Sequence, residues 1–411
     1  MRTSVFVVFI VTLVARAAAG QLPDPTDDDR VRVLVQRLDL GQYKATIKEL
    51  TQFGDRRQGT QRNRDAVDWI ETRLQAVGCA TERLQYVFDP PPRAPRMGRG
   101  PDTPLSPTGS TPTGGRVGRN GSGPGGSAIF GYRRRTGVVR DPLAQPDPVL
   151  RELNREEPTN GERSEVYCTK VGVTRPDEMY IIGAHMDGHG FGEAANDDGS
   201  GTAIVMELAR ILNAPDVRTD RSVRFVLWNN EETGLNGSRA YVDQRRARQG
   251  VEDPPGSGHY PEPRWLGMIQ HDMMLFDHGA PGPDGVVSRD QRPEADVNIE
   301  FQSASELADA SRELAFFFKA ANDAYATDYP AMVGPHMTNT DSTPFMNATP
   351  SISLRENERG MHIGAGWDPH WHQPTDLYRT FTDEDFRLGL NAAQTTLAAI
   401  VQLVGARVVT P

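Results

Sequence analysis

The sequence predicts an α/β protein, a three-layer αβα sandwich around a mostly parallel, mixed central sheet. Two observations carry that expectation. Stretches of strand length alternate with amphipathic stretches of helical length, the order that builds parallel strands covered on both faces by helices. Polar residues suited to chemistry gather where the apolar runs end, and open α/β sheets bind ligands outside the carboxyl ends of their strands. The chain has 411 residues, enough for one large α/β domain or two smaller ones.

Residues 1–20 are set apart from the fold. "MRTS" is a short basic start, "VFVVFIVTLVA" is an apolar core too short to span a bilayer, and "ARAAAG" offers small residues for cleavage. This pattern predicts a secretory signal peptide and a secreted or periplasmic protein with no membrane attachment after cleavage. The formal charge of −10 becomes −12 once Arg2 and Arg16 leave, which argues against nucleic acid as a partner. Cys79 and Cys168 are the only two cysteines. In an exported chain they are expected to pair, with two buried thiols as the alternative.

The elements follow in order. "VRVLVQRLDLGQYKATIKELTQF" and "NRDAVDWIETRLQAVG" read as amphipathic helices, the second stopped by Gly78, and "TERLQYVF" as a strand. From residue 89 to 164 the composition turns to Pro, Gly, Arg and Ser, which cannot bury enough apolar surface to offset its ordering entropy. It reads as a largely irregular surface insertion between residues 28–88 and 165–405, which together form one domain. "SEVYCTKVGV" and "EMYIIGAH" are strands, "SGTAIVMELARILN" a helix, "RSVRFVLW" a strand and "GSRAYVDQRRAR" a helix. "RWLGMIQHDM" is a strand, "ELADASRELAFFFKAANDAY" a helix and "TPSISLR" a short strand. A helix over "FTDEDFRLGLNAAQTTLAAIVQLVG" closes the chain, its acidic first turn suited to the helix dipole.

Three strand ends carry the chemistry. "MYIIGA" leads to His185 and Asp187, "VRFVLW" to Glu231 and Glu232, and "LGMIQ" to His271 and Asp272. "AANDDGSG" places Asp197 and Asp198 before a helix, and "DPHWHQPTD" adds His370, His372 and Asp376. Buried carboxylates and imidazoles are costly unless a positive charge sits among them, and no lysine or arginine stands at those three strand ends. A divalent metal fits that set. Mixed His and carboxylate donors without thiolate suit zinc, with manganese or cobalt as substitutes, and the inventory is large enough for two ions sharing a carboxylate.

The motifs "GAHMD", "ANDDGSG", "EETGLNGS", "HDM", "TDSTPF" and "WHQPTD", in this order, resemble the secreted di-zinc aminopeptidases of metallopeptidase clan MH, of the bacterial leucyl type. The resemblance covers roughly residues 40–88 and 165–405, and implies a zinc-peptidase/phosphorylase-like fold. It implies that His185, Asp197 and Asp272 hold one zinc, and that Asp197, Glu232 and His372 hold the other. Glu231 is then the general base, Asp187 the residue that orients His185, and peptides with a free N-terminus the substrates. Related enzymes have Tyr before the last ligand; this chain has Trp371, which leaves support of the oxyanion open. Asp341 and Ser342 fall at a polar pair of the family, expected to support the site. His271 should point to the opposite sheet face from its neighbour Asp272, and His370 is less well spaced to Asp376 than His372. His189, in the loop leading to Asp197, reads as a solvated loop residue, with a place lining the cleft as the alternative. The rival activities are a carboxypeptidase or dipeptidase of the same clan, a one-zinc glutaminyl cyclase, and a receptor-like domain without catalysis.

Overall fold

A computed structural model describes residues 22, 29–90, 138–276, 297–335, 339–356, 368 and 370–409. The expected signal peptide and residues 91–137 of the insertion lie outside the described residues. Helices α1 (Asp29–Val35) and α2 (Leu40–Leu50) replace the single helix expected at the start. Asp39 makes the break, because its side chain accepts the Gln42 N–H at 2.8 Å and starts a new helix. Thr60 caps α3 (Gln61–Ala76) in the same way, and β1 (Thr81–Phe88) follows.

The end of the segment read as a largely irregular insertion carries regular structure. Asp147 caps a short helix, α4 (Pro148–Leu153), and β2 (Gly161–Lys170) starts before residue 164. Composition hid this because two buried amides, Gln145 and Asn154, anchor the segment rather than an apolar stripe. Next come β3 (Arg175–His185), α5 (Gly199–Leu212), β4 (Val217–Arg218), β5 (Arg221–Trp228), α6 (Asn236–Arg245) and β6 (Arg264–His271). The chain continues through β7 (Val297–Phe301), α7 (Ala308–Tyr325), β8 (Ala331–Pro335), β9 (Ser351–Arg355), α8 (Asp383–Val404) and β10 (Arg407–Val408). Strands β7 and β8 are additional to those the sequence patterns announce.

The main sheet has the order β1-β2-β5-β3-β6-β9-β7-β8. Its centre, β5-β3-β6-β9, is parallel, while β2 runs antiparallel to β5 and β7 antiparallel to β9. The sheet is therefore mixed and mostly parallel, with helices on both faces. On one face, Val166, Ile182, Phe225, Ile269 and Leu354 pack against α2, α5, α7 and α8 in the larger core. On the other, Trp228, Trp265 and Phe345 surround Tyr241 of α6 in a smaller aromatic core. Cys79 and Cys168 form a disulfide between positions 89 apart in the chain. Among the described residues no helix is long and apolar enough to cross a membrane.

Candidate metal centre

The parallel strands β3 and β6 are neighbours in register, Ala184 opposite His271, so both end at the same edge of the sheet. His185 is the last residue of β3 and Asp272 the first after β6. Asp197 comes from the loop before α5. His185 Nε2 lies 3.2 Å from Asp197 Oδ1 and 3.8 Å from Asp272 Oδ1. The other carboxylate oxygen of Asp197 faces a second group, 3.0 Å from His372 Nε2, which is itself 2.7 Å from Glu232 Oε2. Two trios of donors result, His185–Asp197–Asp272 and Asp197–Glu232–His372, in each of which the ligand atoms lie within 4.8 Å of one another.

Several details fit these groups to metal ions. Asp197 Oδ2 and Glu232 Oε1 are buried with no hydrogen-bond donor. Asp197 Oδ2 stands 3.0 Å from His372 Nε2 without the alignment of a hydrogen bond. Without an ion the charges are strained. Burial pushes Glu232 up to about 7, and although burial opposes its charged form, Glu232 and Asp197 push His372 up to about 10. The donors are imidazoles and carboxylates only, a set suited to catalytic zinc.

The supports of the centre depart from the sequence reading in several places. His185 Nδ1 faces the Asp187 backbone carbonyl at 2.9 Å, while the Asp187 carboxylate stands 4.0 Å away. That carboxylate accepts the Glu231 N–H at 3.0 Å instead, so Asp187 faces the imidazole with its backbone carbonyl and not with its side chain. Asp187 thus joins the His185 turn to the glutamate loop. Asn230, at φ 65°, turns the chain between Trp228 and the two glutamates. Burial, reinforced by Asp341 and Glu232 and opposed by His185, raises Glu231 well above the usual carboxylate range. The peptide between Asp197 and Asp198 is cis. Asp198 caps α5 and accepts the N–H groups of His185, Gly201 and Met273, binding three elements at the site.

A cation does stand at a fourth strand end. Arg355, the last residue of β9, is buried with its Nη2 2.7 Å from Asp272 Oδ2 and its Nε 3.5 Å from Glu300. Burial works against the Asp272 charge, but Arg355 and His185 hold this carboxylate well below its usual range. The arginine closing "TPSISLR" was the available signal. Arg56 was also missed: wholly buried, it donates to the carbonyls of Gly54, Met186, Glu193 and Ala194 beneath the loop that carries Asp197. In "GDRRQGT" it looks like any surface turn residue.

His271 turns away from Asp272 and pairs with Thr396 of α8 at 2.8 Å. His370 turns from the centre to Thr375, 2.8 Å away. His189 is not a solvated loop residue. Its ring meets His372 edge-on at 5.5 Å, because glycines on both sides let its loop close against the His372 turn. Trp371 stacks on His372 at 3.8 Å. Asp341 accepts from Ser238 and Gln270 behind the centre, and Ser342 shares a hydrogen bond with Ser353.

A model of peptidase family M28 matches residues 166–395. Aminopeptidase YwaD of Bacillus subtilis (strain 168) is 44% identical over 71 residues, 17% of this chain and 15% of that protein. The probable lipoprotein aminopeptidase LpqL of Mycobacterium tuberculosis is 37% identical over 100 residues, 24% of this chain and 19% of that protein. The chain thus spans less than a fifth of the length of these curated relatives in the matched stretches. Among solved structures, a zinc aminopeptidase from Bacillus subtilis superposes with a TM-score of 0.59 at 16% identity, covering 89% of this chain and 95% of that one.

Proposed function

The chain belongs to peptidase family M28, and from that premise we propose that it is an exported zinc aminopeptidase releasing N-terminal residues from peptides. The observation that carries this reading is Asp197, whose two carboxylate oxygens face two separate donor trios. His185, Asp197 and Asp272 would hold one zinc, and Asp197, Glu232 and His372 the other, with manganese or cobalt as substitutes. Bound there, the ions would polarise a peptide carbonyl and lower the pKa of water to near ~7.

Glu231 accepts a proton from the attacking water and returns it to the departing amine. Its burial beside both trios supports this role, since it places a carboxylate within the same pocket as the proposed ions. Asp187 fixes the Glu231 backbone, and its own carbonyl fixes the ring of His185. A free substrate amine suits a cluster of carboxylates, which favours attack at the first peptide bond. The basic and apolar start of the sequence supports export by a cleaved signal.

The test compares peptides with a free, an N-blocked and a C-blocked end, with and without chelator. Cleavage of the C-blocked but not the N-blocked peptide is expected, and the reverse pattern would reject an aminopeptidase in favour of a carboxypeptidase. Glu231→Gln is expected to lower kcat by at least about 100-fold while the protein keeps its metal. Equal loss of metal and activity would make Glu231 a ligand instead of a base.

A further inference from the structure

Residues 138–154 lie in the segment that composition marks as an insertion, and the catalytic roles above use none of them. They nevertheless reach the centre at three points. The Val139 N–H donates to the His372 carbonyl at 3.2 Å. Gln145 is wholly buried, and its Nε2 donates to the Phe191 carbonyl at 2.7 Å and the Pro374 carbonyl at 3.1 Å. Its Oε1 accepts the Asp147 N–H at 3.1 Å, which fixes the amide's orientation. Asn154, also buried, donates to the Gly192 carbonyl at 2.7 Å and accepts the Asp55 N–H at 3.0 Å.

One side-chain amide therefore joins the turn ahead of Asp197 to the turn just after His372. Both turns need holding. Phe191 and His372 have φ of 63° and 57°, left-handed values that persist in non-glycine residues only where the surroundings impose them. Gly190 packs so tightly under His372 that a Cβ there would fall 2.3 Å from the His372 carbonyl carbon. With no regular element at either turn, cross-bonds must set the position of the His372 ring.

We propose that residues 138–154 form a strap that positions His372 as a metal ligand, with Gln145 as its main positioning residue. The strap makes the insertion part of the metal centre rather than an appendage, and it rests on the two-ion reading of that centre. Among the described residues no hydrogen bond or ion pair joins the strap to His185 or Asp272, so its loss should act mainly on one ion.

The test is a stepwise zinc titration by calorimetry on the full chain stripped of metal. His372→Ala identifies the step that belongs to His372. Gln145→Met keeps the side-chain length but removes the donors, and is expected to weaken that step about 10- to 100-fold, the usual effect of losing a ligand's outer support. The other step should not change, and kcat should fall with the weakened step. Val139→Pro removes a single N–H at a half-buried position without disturbing the interior, and should move the same step less. Leu143→Ala, on the same segment but 74% exposed, should move neither step. A lower melting temperature with both zinc steps intact, or equal weakening of both, would reduce the strap to general support of the fold and overturn the proposal. A wild-type protein that binds one ion would overturn the two-ion reading separately. The strap would then stand only if Gln145→Met weakened that single step.

Discussion

His185 and Asp272 stand at the ends of two adjacent parallel strands, whereas Glu232 and His372 stand on loops. On the strand side, register brings His185 and Asp272, two of the proposed ligands, to the same sheet edge. The ladder continues past β6, where the Asp272 N–H donates to the Leu354 carbonyl of β9 at 3.2 Å, and Arg355 then pins the Asp272 carboxylate. On the loop side, nothing periodic sets the distances. Close approach at Gly190 and Gly192, the Asp376 carboxylate accepting the N–H groups of Asn196 and Asp197, and the strap at Gln145 do that work. A sheet places its ligands with few dedicated residues, whereas a loop of equal precision needs many.

The contrast can be broken most severely at Asp197, which both sides share. Asp197→Asn is expected to leave less than one tightly held zinc per chain and to cut kcat/KM at least about 1,000-fold, by metal analysis and peptide assay; two retained ions would mean that the trios do not overlap. Arg355→Met acts on the strand side only. Removing this outer partner should weaken the Asp272 step of a zinc titration about 10- to 100-fold and spare the His372 step. The opposite selectivity would show that the strands do not hold their ion independently.

Gly190→Ala is the corresponding change on the loop side. Beyond the ~1–2 kcal/mol cost of a left-handed non-glycine residue, the new Cβ collides with the His372 backbone. It should weaken the His372 step and lower the melting temperature, and an unaltered titration would mean that the loops tolerate displacement. The smallest effect concerns His271, behind the strand side, which burial holds at about 4. Its folded value lies below the unfolded one of ~6.5, so in that window the unfolded chain takes up the proton and stability falls as pH falls. In metal-free protein, His271→Gln should flatten the urea-midpoint loss between pH 7 and 5, a change of about 2 kcal/mol at most. Identical profiles would mean that His271 is not carried neutral in the fold.

Legibility in the sequence follows the same division. Apolar runs ending in "HMD", "EE" and "HD" announce the sheet and the edge where chemistry collects, because strand periodicity is local. His372 was found through a motif and not through periodicity. The supports are not local. Arg355 meets a carboxylate 83 positions earlier in the chain, and three of the four carbonyls that Arg56 reaches lie 130 to 138 positions away. Gln145 and Asn154 are single polar residues in a stretch whose composition suggests solvent. Partners of that kind become visible only when the chain has been folded.

The disulfide between Cys79 and Cys168 encloses the whole of the insertion, the strap included. The chain between them is topologically a ring set into the protein. A protease that cuts once anywhere from residue 80 to 167 opens the ring but releases no fragment. The nicked molecule would keep its mass until the disulfide is reduced, and only then separate into two pieces. The Pro/Gly/Arg-rich stretch of the sequence is thereby carried within a closed circuit, able to be severed without being shed.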